Sequence, residues 1–285
     1  MTRPRQGAAK AGLIAVAVVV VIAGGMIALR ASKKEPPAPP AVPAAPPVDA
    51  NAVVSLVTSV PQATLDAVGA GKNVVPPTAL PADTPPLTLD GKPEVLSVGA
   101  EFCPYCAAER WALTNALSRF GTFTGVGLMT SAADDVFPST PTLTFRGSTY
   151  TSDFLAFVSL ETSTNRRGPT GDYEPLEQPT AEQVALVRKY DAPPYVPPPG
   201  GSIPFVMLGN KFIISGSNYR PDVLQGKTSS AVANALADAA NPITQEAMGA
   251  ANVITAALCQ LTKEKPASAC STPAVTAAAT VLPKK

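Results

Sequence analysis

The feature that most restricts this chain is the run from residue 94 to Gly121, in which an apolar stretch leads through Gly99 into Cys103-Pro104-Tyr105-Cys106 and then into helical periodicity. Residues 94–98, set off by the Asp90-Gly91 turn, read as a buried strand. After the cysteines, Leu113, Ala116, Leu117 and Phe120 recur at i, i+3, i+4 and i+7, one buried helix face, and Gly121 suits its end. This order puts Cys103 at a helix start, where unpaired N–H groups and the helix dipole favour negative charge and raise the thiolate fraction. Pro104 has no N–H to lose in the first turn. Cys106 lies seven residues before Leu113, two helical turns, so it faces the core. The spacing predicts an accessible attacking thiol at Cys103 and a shielded resolving thiol at Cys106, which breaks a mixed disulfide.

Two other uses of the pair have to be weighed. Zinc wants four ligands, and the chain has neither a second Cys-x-x-Cys nor any histidine, so no metal is expected. A permanent structural Cys103–Cys106 disulfide in a domain without turnover stays open, because a fold can keep its motif while its function changes. The missing histidine also removes Cys-His and Ser-His catalysis. A net charge of +1, with no long basic stripe, offers nucleic acid nothing to bind.

Residues 11–29 are uncharged and mostly aliphatic. As a helix they span about 28 Å, close to the hydrocarbon core of a bilayer. A cleaved signal peptide would have a shorter apolar core and a small-x-small site, whereas this run stops at Arg30. The flanking charges, Arg3, Arg5 and Lys10 against Arg30, Lys33 and Lys34, are nearly balanced. The short N-terminal tail and the cysteine pairs favour a single-pass cell-membrane protein with its domain extracytoplasmic. The expected organisation is a cytoplasmic tail over 1–10, a transmembrane helix over 11–29 and a Pro/Ala-rich linker over 30–50. A domain over 51–265 and a C-terminal tail over 266–285 follow. The linker favours extended polyproline II or disorder.

Within the domain, residues 52–60 suit a short helix ended by Pro61, and the stretch to Pro86 reads as turns. Strands are expected over 122–129, 143–145 and 154–160, with Gly147 turning between the last two. Thr180 and Gln183 form a capping box for a helix through Tyr190. Residues 203–208 and 211–215 read as a hairpin joined at Gly209-Asn210. Residues 229–240 suit a helix, and Asn241-Pro242 starts another that carries Ile254, Ala257, Leu258 and Leu261. Cys259 and Cys270, eleven positions apart around Pro266, are expected to form a structural disulfide worth about 3 kcal/mol. Glu94, Glu101 and Glu161 are the candidates for a buried proton acceptor near the thiols. Arg110 is expected on the helix surface, and Asp134-Asp135 in a solvated loop.

The run Gly99-Ala100-Glu101-Phe102-Cys103-Pro104-Tyr105-Cys106-Ala107-Ala108-Glu109-Arg110-Trp111, with Leu117-Ser118-Arg119-Phe120-Gly121-Thr122-Phe123 after it, resembles the family known as domain of unknown function 929. The resemblance covers roughly residues 50 to 265. That family looks thioredoxin-like, which implies an α/β fold with a central mixed sheet flanked by helices. In such folds a cis-proline opens a strand facing the cysteines, and the residue before it can pair with substrate backbone. Ile203-Pro204 stands in the matching place; an ordinary strand-initial proline is the alternative. The Pro-Tyr dipeptide also looks like glutaredoxins, but no glutathione-binding set accompanies it. Some 98 positions separate Cys106 from Pro204, so an insertion or an elaborated edge is expected over about 131–179. The function expected is thiol–disulfide exchange, without a cofactor, on exported proteins or an integral-membrane redox partner. The alternative is a non-catalytic binding or scaffold protein of the cell envelope.

Overall fold

Proline at position 61 both stops one helix and starts the next. In the computed structural model, which describes residues 48–283, α1 (Ala50–Thr58) is capped by the Asp49 carboxylate, and Pro61 is the N-cap of α2 (Gln62–Val68). The second helix falls in a stretch expected to be turns; Thr64, Leu65 and Val68 give it a buried face. The expected tail 1–10, membrane helix 11–29 and nearly all of the 30–50 linker lie outside the described residues. Among the described residues no helix is long and apolar enough to cross a membrane.

Two-residue strands β1 (Thr78–Ala79) and β2 (Thr88–Leu89) precede β3 (Lys92–Gly99), whose last six residues are buried. The chain then enters α3 (Pro104–Ser118). Its burial differs from expectation: residues on every side of α3 are covered, not one face. The single strand expected over 122–129 is two, β4 (Thr122–Thr124) and β5 (Gly127–Thr130), because Gly125 turns the chain at φ 79°. They pair with β7 (Thr149–Thr151) and β6 (Pro141–Thr144) respectively. Next come β8 (Ala156–Glu161), β9 (Ser163–Arg167) and β10 (Tyr173–Pro175). Helix α4 (Ala181–Tyr190) has the capping box of Thr180 and Gln183. The hairpin β11 (Phe205–Leu208) and β12 (Phe212–Ser215) turns at Gly209 and Asn210, both at positive φ.

The main sheet is mixed. Its order is β1-β12-β11-β3-β2, with antiparallel neighbours, and β8 pairs with β3 in parallel, Glu94 opposite Ala156 through Gly99 opposite Glu161. Side chains alternate across it, as the period of two requires. Val95, Val206, Leu208, Phe212 and Ile214 enter the larger core with α3. Leu96, Val98, Phe205, Met207 and Ile213 enter a second core closed by Tyr190 of α4 and Val196. Helices therefore flank both faces. The stretch 131–179 is no appendage, since it supplies β8, the parallel neighbour of the strand that leads to the cysteines.

The chain ends in α5 (Ser229–Ala235), α6 (Pro242–Leu261), α7 (Ala267–Cys270) and α8 (Pro273–Ala279). Helix α5 stops five residues short of the expected 240. Asn241 caps α6, with Pro242 in its first turn. Cys259 and Cys270 are disulfide-bonded, with an S–S distance of 2.02 Å. Beyond residue 265 the chain continues as folded structure: Ala274, Val275, Ala278 and Leu282 join the core beside α6.

Candidate functional site

Cys103 is the N-cap residue of α3, and its Sγ accepts the Cys106 N–H at 3.3 Å. The strand before it explains the position: β3 ends at Gly99, and the turn 100–102 delivers Cys103 to the helix start. Hydrogen bonding from the Cys106 thiol holds the Cys103 thiol below its ordinary value; the Cys106 and Tyr105 N–H groups and the Arg110 charge add to this, against the cost of burial. Cys106 has the opposite environment. Burial and the neighbouring Cys103 push its thiol well up. The two sulfurs are not bonded to each other in this structure.

Ile203 and Pro204 meet the cysteines from the start of β11. The Cys103 thiol donates to Ile203 O at 3.6 Å, and the Ile203–Pro204 peptide is cis. One expectation needs correction: Cys103 is not openly accessible, with 5 % of its surface exposed against 2 % for Cys106. Its neighbours are covered on both sides by the 131–179 stretch. Phe102 stacks on Tyr173 at 4.0 Å between ring centres, and Tyr105 meets Phe137 edge-on at 5.8 Å. Backbone bonds Ala132 N–H to Phe102 O and Glu101 N–H to Ser163 O fasten the same turn.

Arg110 also departs from expectation. It is 3 % exposed, lies two turns beyond Cys103, and pairs with Glu161 through Nε to Oε1 at 2.9 Å and Nη2 to Oε2 at 2.5 Å. Nη2 also donates to Ala100 O. The pair sits beside Cys106. A side chain on Gly99 would put its Cβ 3.1 Å from Cys106 Sγ and 3.7 Å from Glu161 Oε2, so the missing Cβ leaves one narrow space bordered by both. Of the three acids proposed from sequence, Glu161 is the one this geometry selects. Glu94 lies at the other end of β3, and it is the Glu161 charge that reaches the Cys106 thiol.

Sequence reasoning missed Glu109. It is fully buried one residue before Arg110, its Oε2 accepts the Asn218 N–H at 2.8 Å, and its Oε1 has no partner. Burial pushes its carboxyl up to about 7. The signal was present: Ala107, Ala108, Trp111 and Ala112 around the Glu-Arg pair leave α3 no polar face. Asp134 is exposed and paired with Arg167, as a surface loop residue would be.

This arrangement defines a class: an α/β protein with a mixed sheet flanked by helices and two inequivalent thiols at a helix start. Residues 80–260 match the family described as Domain of unknown function (DUF929), and the chain belongs to that family. No curated protein and no solved structure gives a significant match to the chain.

Proposed function

We propose that this protein is a thioredoxin-like thiol–disulfide oxidoreductase, held at the cell membrane by residues 11–29 with its domain extracytoplasmic. Its partners are exported proteins or an integral-membrane redox protein. The observation that carries the reading is the inequality of the two thiols: Cys103 at the helix cap with its thiol lowered, Cys106 beneath it with its thiol raised. The order of elements adds support. A strand leads into the cysteines and their helix, a parallel strand follows, and Pro204 then stands immediately before an antiparallel hairpin.

In the exchange, the Cys103 thiolate attacks one sulfur of a partner disulfide. A Cys103–partner bond forms, the partner S–S bond breaks, and the partner's other sulfur leaves as a thiolate that takes a proton from water. Cys106 then loses its proton toward Glu161, across the space at Gly99, and attacks Cys103 Sγ. The second partner thiolate leaves, and Cys103–Cys106 ends as the disulfide. The partner is reduced by two electrons and the protein oxidised by two. Run backward, the same steps oxidise a dithiol.

The test is trapping with Cys106→Ala, which stops the second step. Mixed disulfides through Cys103 are expected to accumulate and to vanish in the Cys103→Ser, Cys106→Ala double variant. If none accumulate, turnover is ruled out. The low exposure of Cys103 favours a second reading, a binding or scaffold protein whose pair forms a locked bond. A reduction potential below about −300 mV would support that reading, and a higher one the exchange enzyme.

A further inference from the structure

The opposite end of α3 carries a different polar arrangement. Arg119 is the C-cap residue of that helix, about 22 Å of helix away from the cysteines. Its guanidinium is held from one side only: Nε donates to Asn115 Oδ1 at 3.2 Å, and Nη2 donates to the same oxygen. Asn115 is itself buried and fixed, because its Nδ2 donates to Val57 O at the end of α1 at 2.7 Å. Among the described residues Nη1 has no acceptor, and no carboxylate forms an ion pair with Arg119. The acid whose charge reaches it, Asp66, has its Oδ1 occupied by the Ala274 N–H at 2.9 Å and the Gln62 side-chain amide at 2.8 Å. Burial pushes the guanidinium down to about 10. The side chain is half-buried, and its unpaired Nη1 is open to solvent.

A cavity of about 230 Å³ opens onto this guanidinium. Its wall is mostly polar, with Thr58, Gln62, Asn115 and Ser268 among the lining residues. The Thr58 hydroxyl is turned back on α1, donating to Val54 O at 3.0 Å, whereas Ser268 is exposed and its hydroxyl makes no hydrogen bond to the described residues. The space holds several waters at about 30 Å³ each, enough for one small tetrahedral anion with residual water and too little for a nucleotide. An arginine fork fixed in direction, with a hydroxyl donor across the space, suits such an anion.

We infer that this cavity is a binding site for a small oxyanion of the phosphate class, with Arg119 as its charged donor and Asn115 as the residue that aims it. Neutralising the C-terminal carbonyls of α3 accounts for a cation at this position. It does not account for the polar cavity that the same side chain lines.

The test is calorimetric titration of the full-length chain with inorganic phosphate, alongside acetate and sodium chloride at matched ionic strength, with thermal midpoints measured in parallel. Wild type is expected to bind phosphate saturably and to gain thermal stability with its concentration, as a ligand of the folded state must. Arg119→Gln should fold and lose that heat. Arg119→Lys, which keeps the charge without the fork, should bind about tenfold more weakly. If Arg119→Gln fails to fold, Ser268→Ala serves instead, with weakened phosphate binding expected. Absence of saturable binding, or binding unchanged in these variants, would overturn the site. Acetate binding as tightly as phosphate would overturn the assignment to phosphate-class anions, and an equal response to sodium chloride would reduce the effect to charge screening.

Discussion

Gly99, by having no side chain, leaves a space that both Cys106 and Glu161 border, which makes the Arg110–Glu161 pair part of the thiol environment and not a remote structural bridge. Glu161→Gln would leave the buried Arg110 without a counter-charge. A loss of about 3–5 kcal/mol is expected from the urea midpoint, together with slower loss of the mixed disulfide once Cys106 lacks its acceptor. Glu109 tests the same helix through pH. Its carboxyl is raised from 4.5 to about 7 by burial. Below 4.5 the folded and unfolded chains both hold the proton, and Glu109 has no effect on stability. Between 4.5 and 7 the unfolded chain loses it first, so stability falls by about 3 kcal/mol and then levels off above 7. Glu109→Gln should remove that decline when urea midpoints are compared from pH 4 to pH 8. The burial of Glu109 and of Arg110 was not legible from helical periodicity. The pattern Leu113, Ala116, Leu117, Phe120 marks one covered face but is silent about what lies against the other.

At the scale of elements, the disulfide joins α6 to α7 and so holds α8 against the core. The variant Cys259→Ser with Cys270→Ser should lose about 2–4 kcal/mol, with faster amide exchange across 267–279 and little change in β3 or β11. An equal acceleration throughout the sheet would show instead that the helices and the sheet unfold as one unit. Caps and turns were the most readable elements. The Thr180 box, the Asn241-Pro242 start and the Gly209-Asn210 turn are short-range chemistry, decided by neighbours within four residues. Residues 131–179 were the least readable. Nothing local in Ala156–Glu161 states that it pairs in parallel with β3, because a parallel partner is chosen by the crossover and by packing on both faces.

For the whole molecule, the proposed anchor makes a fractionation prediction. The full chain should stay with membranes after an alkaline carbonate wash and expose residues 48–283 to protease on the outer side only. A chain lacking residues 1–47 should be released with its Cys259–Cys270 bond intact. Recovery of the full chain in the wash would remove the anchor from the proposal. The sequence by itself determined the strand, the paired cysteines and the helix that carries them, because each rests on hydrophobic period or capping. Tertiary structure alone decided which acid stands beside Cys106, that Arg110 and Glu109 are buried, and that aromatic side chains from 131–179 lie over the neighbours of Cys103. Those are contacts between residues tens of positions apart, and they are set by how sheet and helices close on one another.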